Sequence, residues 1–166
     1  MNYLFDNRTG VVACPKTAFD YRKDGNLLIF NFVAMDSSLD SYSDINNDDL
    51  WRLNVVEVFL DLGDDFYYEL EVAPNGAVFV AIIKDRRIIF IDDDFFKSKV
   101  EIEANTYKVT MEIDLSKLSV KGPIKFNAFR IENDDGFQIL EALNPTYSNT
   151  FHVKEKFIEL KQKSPV

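Results

Sequence analysis

Twenty-eight acidic side chains make carboxylates the commonest reactive groups in this 166-residue sequence. A pair of carboxyls flanking a glycosidic bond can hydrolyse it. Acids are so frequent here, however, that some pair must lie close by composition alone. Asp48-Asp49, Asp64-Asp65, Asp92-Asp93-Asp94 and Asp134-Asp135 read as solvated turns. Hard oxygen ligands also suit calcium, so no cofactor is expected beyond a calcium ion at one of these loops. None has EF-hand spacing. Nucleophilic catalysis has less to work with. There is no G-x-S-x-G elbow, and His152 is the single imidazole, which excludes an H-E-x-x-H zinc site. Cys14 lies far from His152 in sequence and is followed by Pro15, so it reads as a small buried hydrophobe. The six glycines are scattered and form no phosphate loop. With no catalytic constellation, the chain is not expected to be an enzyme.

What remains is aromatic. Trp51, the single tryptophan, closes the run Asp48-Asp49-Leu50-Trp51, and Phe151 lies in Ser148-Asn149-Thr150-Phe151-His152. A tryptophan at a strand start commonly fills a core. The functional alternative is a stacking platform. An aromatic face suits the apolar C–H face of a pyranose, while nearby Asp, Asn, Glu and Arg pair with the hydroxyls.

The elements that must position these residues are strands. Residues 27–35 (LLIFNFVAM) read as a strand buried on both faces. In residues 54–62, Val56, Val58 and Leu60 share one face, and Glu57, Phe59 and Asp61 the other. Residues 67–73 alternate Tyr68, Leu70 and Val72 against Glu69 and Glu71. Pro74-Asn75-Gly76 then turns the chain into a partner strand at 77–84, which predicts a β-hairpin. Residues 87–91 form a short apolar strand, and 107–113 alternate cleanly, as in an antiparallel sheet with one wet face. One helical turn fits 115–118, and 124–131, 137–143 and 157–161 are the last strands. Short strands separated by turn signals predict an all-β fold, an antiparallel two-sheet β-sandwich. Two long loops interrupt it, at 36–50 and 144–156, and each ends at or contains one of the candidate aromatics.

Composition narrows the partners. The net charge of −9 opposes nucleic acid and anionic membrane surfaces. A chain that is 46% hydrophobic and 14% aromatic is not disordered, and one cysteine excludes an internal disulfide framework. No stretch reaches the roughly 20 apolar residues of a membrane helix. The length fits a single domain over residues 1–166. Residues 1–10 lack a signal-peptide pattern. The expected location is therefore cytoplasmic if Met1 is the native start, and extracellular if a signal has been trimmed. Asn7-Arg8-Thr9 is a formal glycosylation sequon that carries little weight without a secretory signal.

Several blocks resemble family 9 carbohydrate-binding modules. Residues 49–61 (DLWRLNVVEVFLD) are similar to a W-x-x-D-x-VE-[VI]-F-[VIL]-D signature, with Asn54 at the aspartate position. Residues 67–76 (YYELEVAPNG) resemble the Y-x-E-x-E-V-x-P-x-G strand and turn of short stand-alone members. Residues 27–36 resemble the strand preceding the acidic loop. Asn144-Pro145-Thr146, Phe151-His152 and Phe157-Ile158-Glu159-Leu160 resemble the closing segment, with Ile158 in place of a glycine. The likeness spans about residues 25 to 161. It implies a β-sandwich similar to DOMON domains, and a non-catalytic module that holds a mono- or oligosaccharide end between two aromatic walls. By position the walls fall on Trp51 and Phe151, and an acidic hydroxyl partner on a solvent-facing Glu57. Glu69 stands near the place of a family arginine. Tyr147, Asn149, His152 and Arg130 are the further candidate ligand contacts. Two alternatives stay open. One is an interaction or scaffold sandwich without a small ligand. The other is a haem site of the DOMON kind, for which Met35, Met111 and His152 are the available axial ligands.

Overall fold

The computed structural model describes residues 2–13, 17–35 and 37–161. Cys14 and Pro15, read above as a buried thiol and its neighbour, lie outside them. The strands are β1 (Asn2–Tyr3), β2 (Phe5–Asp6), β3 (Thr17–Asp24), β4 (Leu27–Ala34), β5 (Val55–Asp61), β6 (Tyr67–Val72), β7 (Val78–Lys84), β8 (Arg87–Phe90), β9 (Phe96–Glu103), β10 (Thr106–Asp114), β11 (Lys125–Asp134), β12 (Phe137–Ala142) and β13 (Ile158–Glu159). They form two antiparallel sheets. A five-stranded sheet runs β1-β3-β4-β10-β9, and an eight-stranded sheet runs β2-β12-β11-β5-β6-β7-β8 with β13 on β11. This is the sandwich the alternation predicts. No helix among the described residues is long and apolar enough to cross a membrane.

The core between the sheets takes one face from each. Phe19, Leu28, Phe30, Phe32, Tyr107, Val109 and Met111 come from the five-stranded sheet; Val56, Val58, Leu60, Leu70, Val72 and Phe126 come from the other. Phe126 sits 5.0 Å from Tyr21 and 5.3 Å from Phe30, ring centre to ring centre. The reading of residues 27–35 as buried on both faces needs correction. Leu28, Phe30, Phe32 and Ala34 face the core, whereas Asn31 on the outer face donates to Asp20 and accepts from Thr110. Strands β3 and β9 were not legible as strands: β9 is largely exposed and β3 ends in exposed charges, so neither carries a long apolar alternation.

The hairpin forms as expected. Gly76 takes the left-handed φ of +88° that a side chain would resist, and its N–H closes the turn on the Ala73 carbonyl. A single 3₁₀ turn at Leu115–Lys117 begins where the Asp114 side chain accepts from the Ser116 N–H.

Two asparagines hold the long loops down. Asn54 is fully buried; its amide donates to the Asp40 carbonyl and Ser38 Oγ, and its oxygen accepts from the Asn133 N–H. An aspartate there would lose both donated bonds. Asn7, also fully buried, donates to Thr146 Oγ1 and the Ser148 carbonyl and accepts from the Thr146 N–H. Its amide is committed to the fold, so the formal sequon offers no exposed acceptor.

Candidate functional site

The outer face of the eight-stranded sheet carries a second apolar cluster. Leu50, Phe59, Phe79, Phe129, Ile131, Phe151 and Phe157 belong to it, so both long loops fold back onto this face. A cleft of about 360 Å³ remains, lined by Trp51, Glu57, Glu69, Gln138, Asn149 and His152 among others, with Phe79, Ile131, Leu140 and Phe151 as its apolar surface. A neighbouring depression of about 580 Å³ shares Ile88, Thr150 and His152 with it.

Trp51 is held by the 3₁₀ turn Leu50–Arg52. Leu50 anchors the turn in the outer cluster with no exposure, while Trp51 stays 40% exposed. Gln138 donates to the Trp51 carbonyl at 3.2 Å, and the Arg52 guanidinium lies 4.9 Å from the Trp51 ring centre. Trp51 is therefore a cleft residue and not core filling. Phe151 lines the same cleft, but it is nearly buried and stacks on Phe129 at 4.1 Å. It presents far less free surface than an opposing wall would need. Asn149 takes a 2.8 Å bond from Arg8 Nε. The His152 ring stacks on Phe59 at 4.7 Å, and its Nδ1 shares a 2.6 Å hydrogen bond with the Tyr67 hydroxyl. Burial lowers the His152 pKa, which keeps the ring neutral at pH 7.

Two expected contacts lie elsewhere. Arg130 is fully buried on the inner face of β11, where its guanidinium bonds the Ile131 carbonyl and sits 5.3 Å from the Tyr107 ring centre. Alternation alone decides this: Phe129 and Ile131 point to the cleft side, so Arg130 cannot. Tyr147 is 61% exposed and outside the cleft lining, with Lys156 Nζ 5.4 Å from its ring centre. Of the axial ligands named for haem, Met111 is buried between the sheets, on the opposite side of the eight-stranded sheet from the cleft that His152 lines, so these two cannot ligate one haem.

Glu57 needs a different correction. Its face was right, but it is not solvent-facing, since only 2% of it is exposed. Across the β5–β6 register Glu57 pairs with Glu71, and Phe59 with Glu69, which puts all three glutamates on the outer face. One carboxylate oxygen from each lies within 4.8 Å of the others. Burial is the main reason their carboxyls titrate high. Glu57 is raised to about 7 and Glu69 to about 8, Glu69 also feeling the Glu57 charge. Glu71 is raised well above the usual range, by burial first and then by the charges of Glu57 and Glu69. Glu71 was missed as a site residue. Its signal was present, since it alternates with Glu69 on the face shared with Glu57 once β5 and β6 pair.

Comparison with known proteins places the fold. No protein-family model matches the chain, and no curated protein matches it. Solved structures do. One is a protein from Bacteroides uniformis ATCC 8492 described as a candidate carbohydrate-binding protein, with 16% identity and a TM-score of 0.76, covering 95% of this chain and 84% of that one. Another is a family 9 carbohydrate-binding module from Caldicellulosiruptor kristjanssonii in complex with glucose, with 20% identity, a TM-score of 0.69, and coverage of 97% and 85%. A family 9 module from the same organism, in complex with cellotriose, aligns at 19% identity and a TM-score of 0.66 over 98% and 84%. The chain has the fold of the family 9 carbohydrate-binding modules.

Proposed function

We propose that this protein is a non-catalytic carbohydrate-binding domain that holds a sugar, or the end of a short glycan, in the outer-face cleft. The carrying observation is the exposed face of Trp51 in the lining of a cleft whose other walls include the carboxyls of Glu57 and Glu69. An apolar face beside convergent polar groups is what a pyranose ring needs. Asn149, Gln138 and His152 supply further hydrogen-bonding groups at the rim. Sugar complexes of proteins with the same fold support the reading. The adjoining depression gives room for a second ring, so an oligosaccharide fits as well as a monosaccharide.

Titration with mono- and oligosaccharides, followed by Trp51 fluorescence and by calorimetry, tests this. At least one sugar should change the emission, and Trp51→Ala should abolish the calorimetric signal. Silence with every sugar would reject the reading.

A second reading, an interaction domain, has one feature in its favour. Ile88, Ile89 and Phe90 on edge strand β8 are all more than 40% exposed, and such an edge can receive a partner strand. It gains if sugars are silent and a β8 charge substitution changes self-association.

A further inference from the structure

The floor of the cleft holds more carboxyl groups than a sugar requires. Glu57, Glu69 and Glu71 are each at most 6% exposed, and Glu71 is not exposed at all. Neither oxygen of Glu71 meets a backbone or basic donor, and its carboxyl is matched by a proton shared with Glu57 and Glu69. Glu71 does not line the cleft, so an ordinary ligand lying there meets Glu57 and Glu69 and leaves Glu71 untouched. No lysine or arginine is among the residues lining the cleft. Three buried carboxylates without a counter-charge are strongly unfavourable, which is why all three hold their protons to higher pH than usual. Once they are deprotonated, only a cation small enough to sit among the three can match them all.

The spacing suits an ion. The three oxygens lie within 4.8 Å of one another, and calcium holds oxygens at about 2.3–2.6 Å. Oxygens on opposite sides of one such ion are separated by about twice that distance. The donors are all carboxylate, with no thiolate or imidazole in the group, which selects a hard cation over zinc or copper.

We propose that Glu57, Glu69 and Glu71 form a seat for one hard divalent cation, calcium by ligand type, at the base of the cleft. This seat is distinct from the exposed acidic turns where calcium was first considered. Three carboxylates leave calcium short of its usual six to eight ligands. Because Glu57 and Glu69 line the cleft, the open positions face the Trp51 side. Resting on the carbohydrate reading above, two neighbouring sugar hydroxyls join the shell, with water filling the remaining positions, and sugar binding depends on the cation.

Chelator-stripped protein is titrated calorimetrically with calcium chloride, and separately with magnesium chloride, at pH 8. One equivalent of calcium should bind. Glu71→Gln, which keeps the shape and removes a charge, should weaken binding at least tenfold; Asp93→Asn on an exposed turn should leave it unchanged. Circular dichroism checks that the variants fold, and Glu57→Gln serves as a second test should Glu71→Gln fail to. Absence of calcium binding, or binding that both glutamine variants leave intact, overturns the proposal. Sugar titrations with chelator and with calcium separate the two claims. Loss of sugar binding in chelator with recovery in calcium supports both. Sugar binding undiminished by chelator, with no calcium bound, overturns the seat and leaves the carbohydrate reading standing. Calcium bound at the glutamates with no sugar response supports the seat and overturns the carbohydrate reading.

Discussion

On strand β5, Val56, Val58 and Leu60 point between the sheets, while Val55, Glu57, Phe59 and Asp61 point the other way, yet all seven residues are buried. The inner face follows the usual logic of a core. Its polar exceptions bring opposite charges together: Thr17 Oγ1 donates to Glu141 Oε2 at 2.6 Å, and Arg130 stands beside Glu141 in the β11–β12 register, although Arg130 Nε and Nη2 and Glu141 Oε1 have no hydrogen-bond partner. The outer face buries Phe59, Phe79 and Phe129 around three carboxyls that face one another. Burial is common to both faces, so burial does not distinguish them. The sign of the neighbouring groups does: a guanidinium stands beside a carboxyl on the inner face, whereas like carboxyls crowd together on the outer one.

The largest effect that would test this contrast lies on the inner face. Phe126→Ala removes a ring in contact with Phe19, Tyr21 and Phe30. Such truncations cost about 3–5 kcal/mol, which for a domain of this size lowers the melting temperature by roughly 10 °C. Differential scanning calorimetry checks it. A fall of only a degree or two would mean that the inner face is not the principal source of stability.

That inner face is also the part most legible from sequence. Two-residue alternation in residues 54–62 and 67–73 assigns faces directly, because a strand offers a side chain only two directions. The same rule could have excluded Arg130 from the cleft, since Phe129 and Ile131 flank it. Alternation carries no information on what covers a face. Glu57 read as solvent-exposed because Leu50, Phe151 and Phe157 reach the outer face from loops, and loop return is set by Asn7, Asn54 and their long-range hydrogen bonds. Glu71 became part of the site only through the pairing of β5 with β6. Trp51 was legible as a candidate from its type and place, but its exposure was not.

The next effect belongs to the outer face and reads in pH. Glu57 and Glu69 titrate near 7 and 8 in the folded chain, above the ordinary 4.5. The native state thus holds these protons more tightly than the unfolded chain does. Their contribution to stability is fully present below about pH 4.5 and is lost as pH rises through the folded values. At about 1.4 kcal/mol per unit, Glu57 alone accounts for roughly 3 kcal/mol. Glu141, also raised to about 7, adds to the same trend. Urea denaturation of cation-free protein should therefore show stability falling from pH 5 to pH 8. Added calcium should oppose that fall, and more strongly at the higher pH, because the ion needs deprotonated ligands. Stability that rises with pH in chelator would contradict the buried placement of the trio.

Smaller again is the consequence of Glu71→Gln for the empty fold. Removing one of three crowded carboxyls should stabilise cation-free protein at pH 8 by about 1–2 kcal/mol, since the charges of Glu57, Glu69 and Glu71 oppose one another as the trio deprotonates. The gain should shrink toward pH 5, where the trio is protonated. Parallel denaturation curves at the two pH values measure the difference directly. A loss of stability at both would show that the Glu71 carboxyl supports the fold and does not burden it.

The smallest expected change in stability falls on the residue with the largest expected role in binding. Leu50 and Trp51 are neighbours in one 3₁₀ turn, the first with no exposure and the second 40% exposed. Leu50→Ala should cost about 2–5 kcal/mol as a core truncation. Trp51→Ala should cost no more than about 1 kcal/mol, in the range of substitutions away from packed interiors. Binding should reverse the order. Losing the stacking face removes at least about 2 kcal/mol of sugar affinity, by the weight a single aromatic anchor carries in a recognition site, whereas Leu50→Ala should act only through the fold. Because Trp51 is the single tryptophan, its substitution also removes the fluorescent reporter, so calorimetry must measure the loss. If Trp51→Ala destabilises the protein as much as Leu50→Ala does, the ring is packing and not presented, and the division between a stabilising inner face and a recognising outer one fails at its most exposed residue.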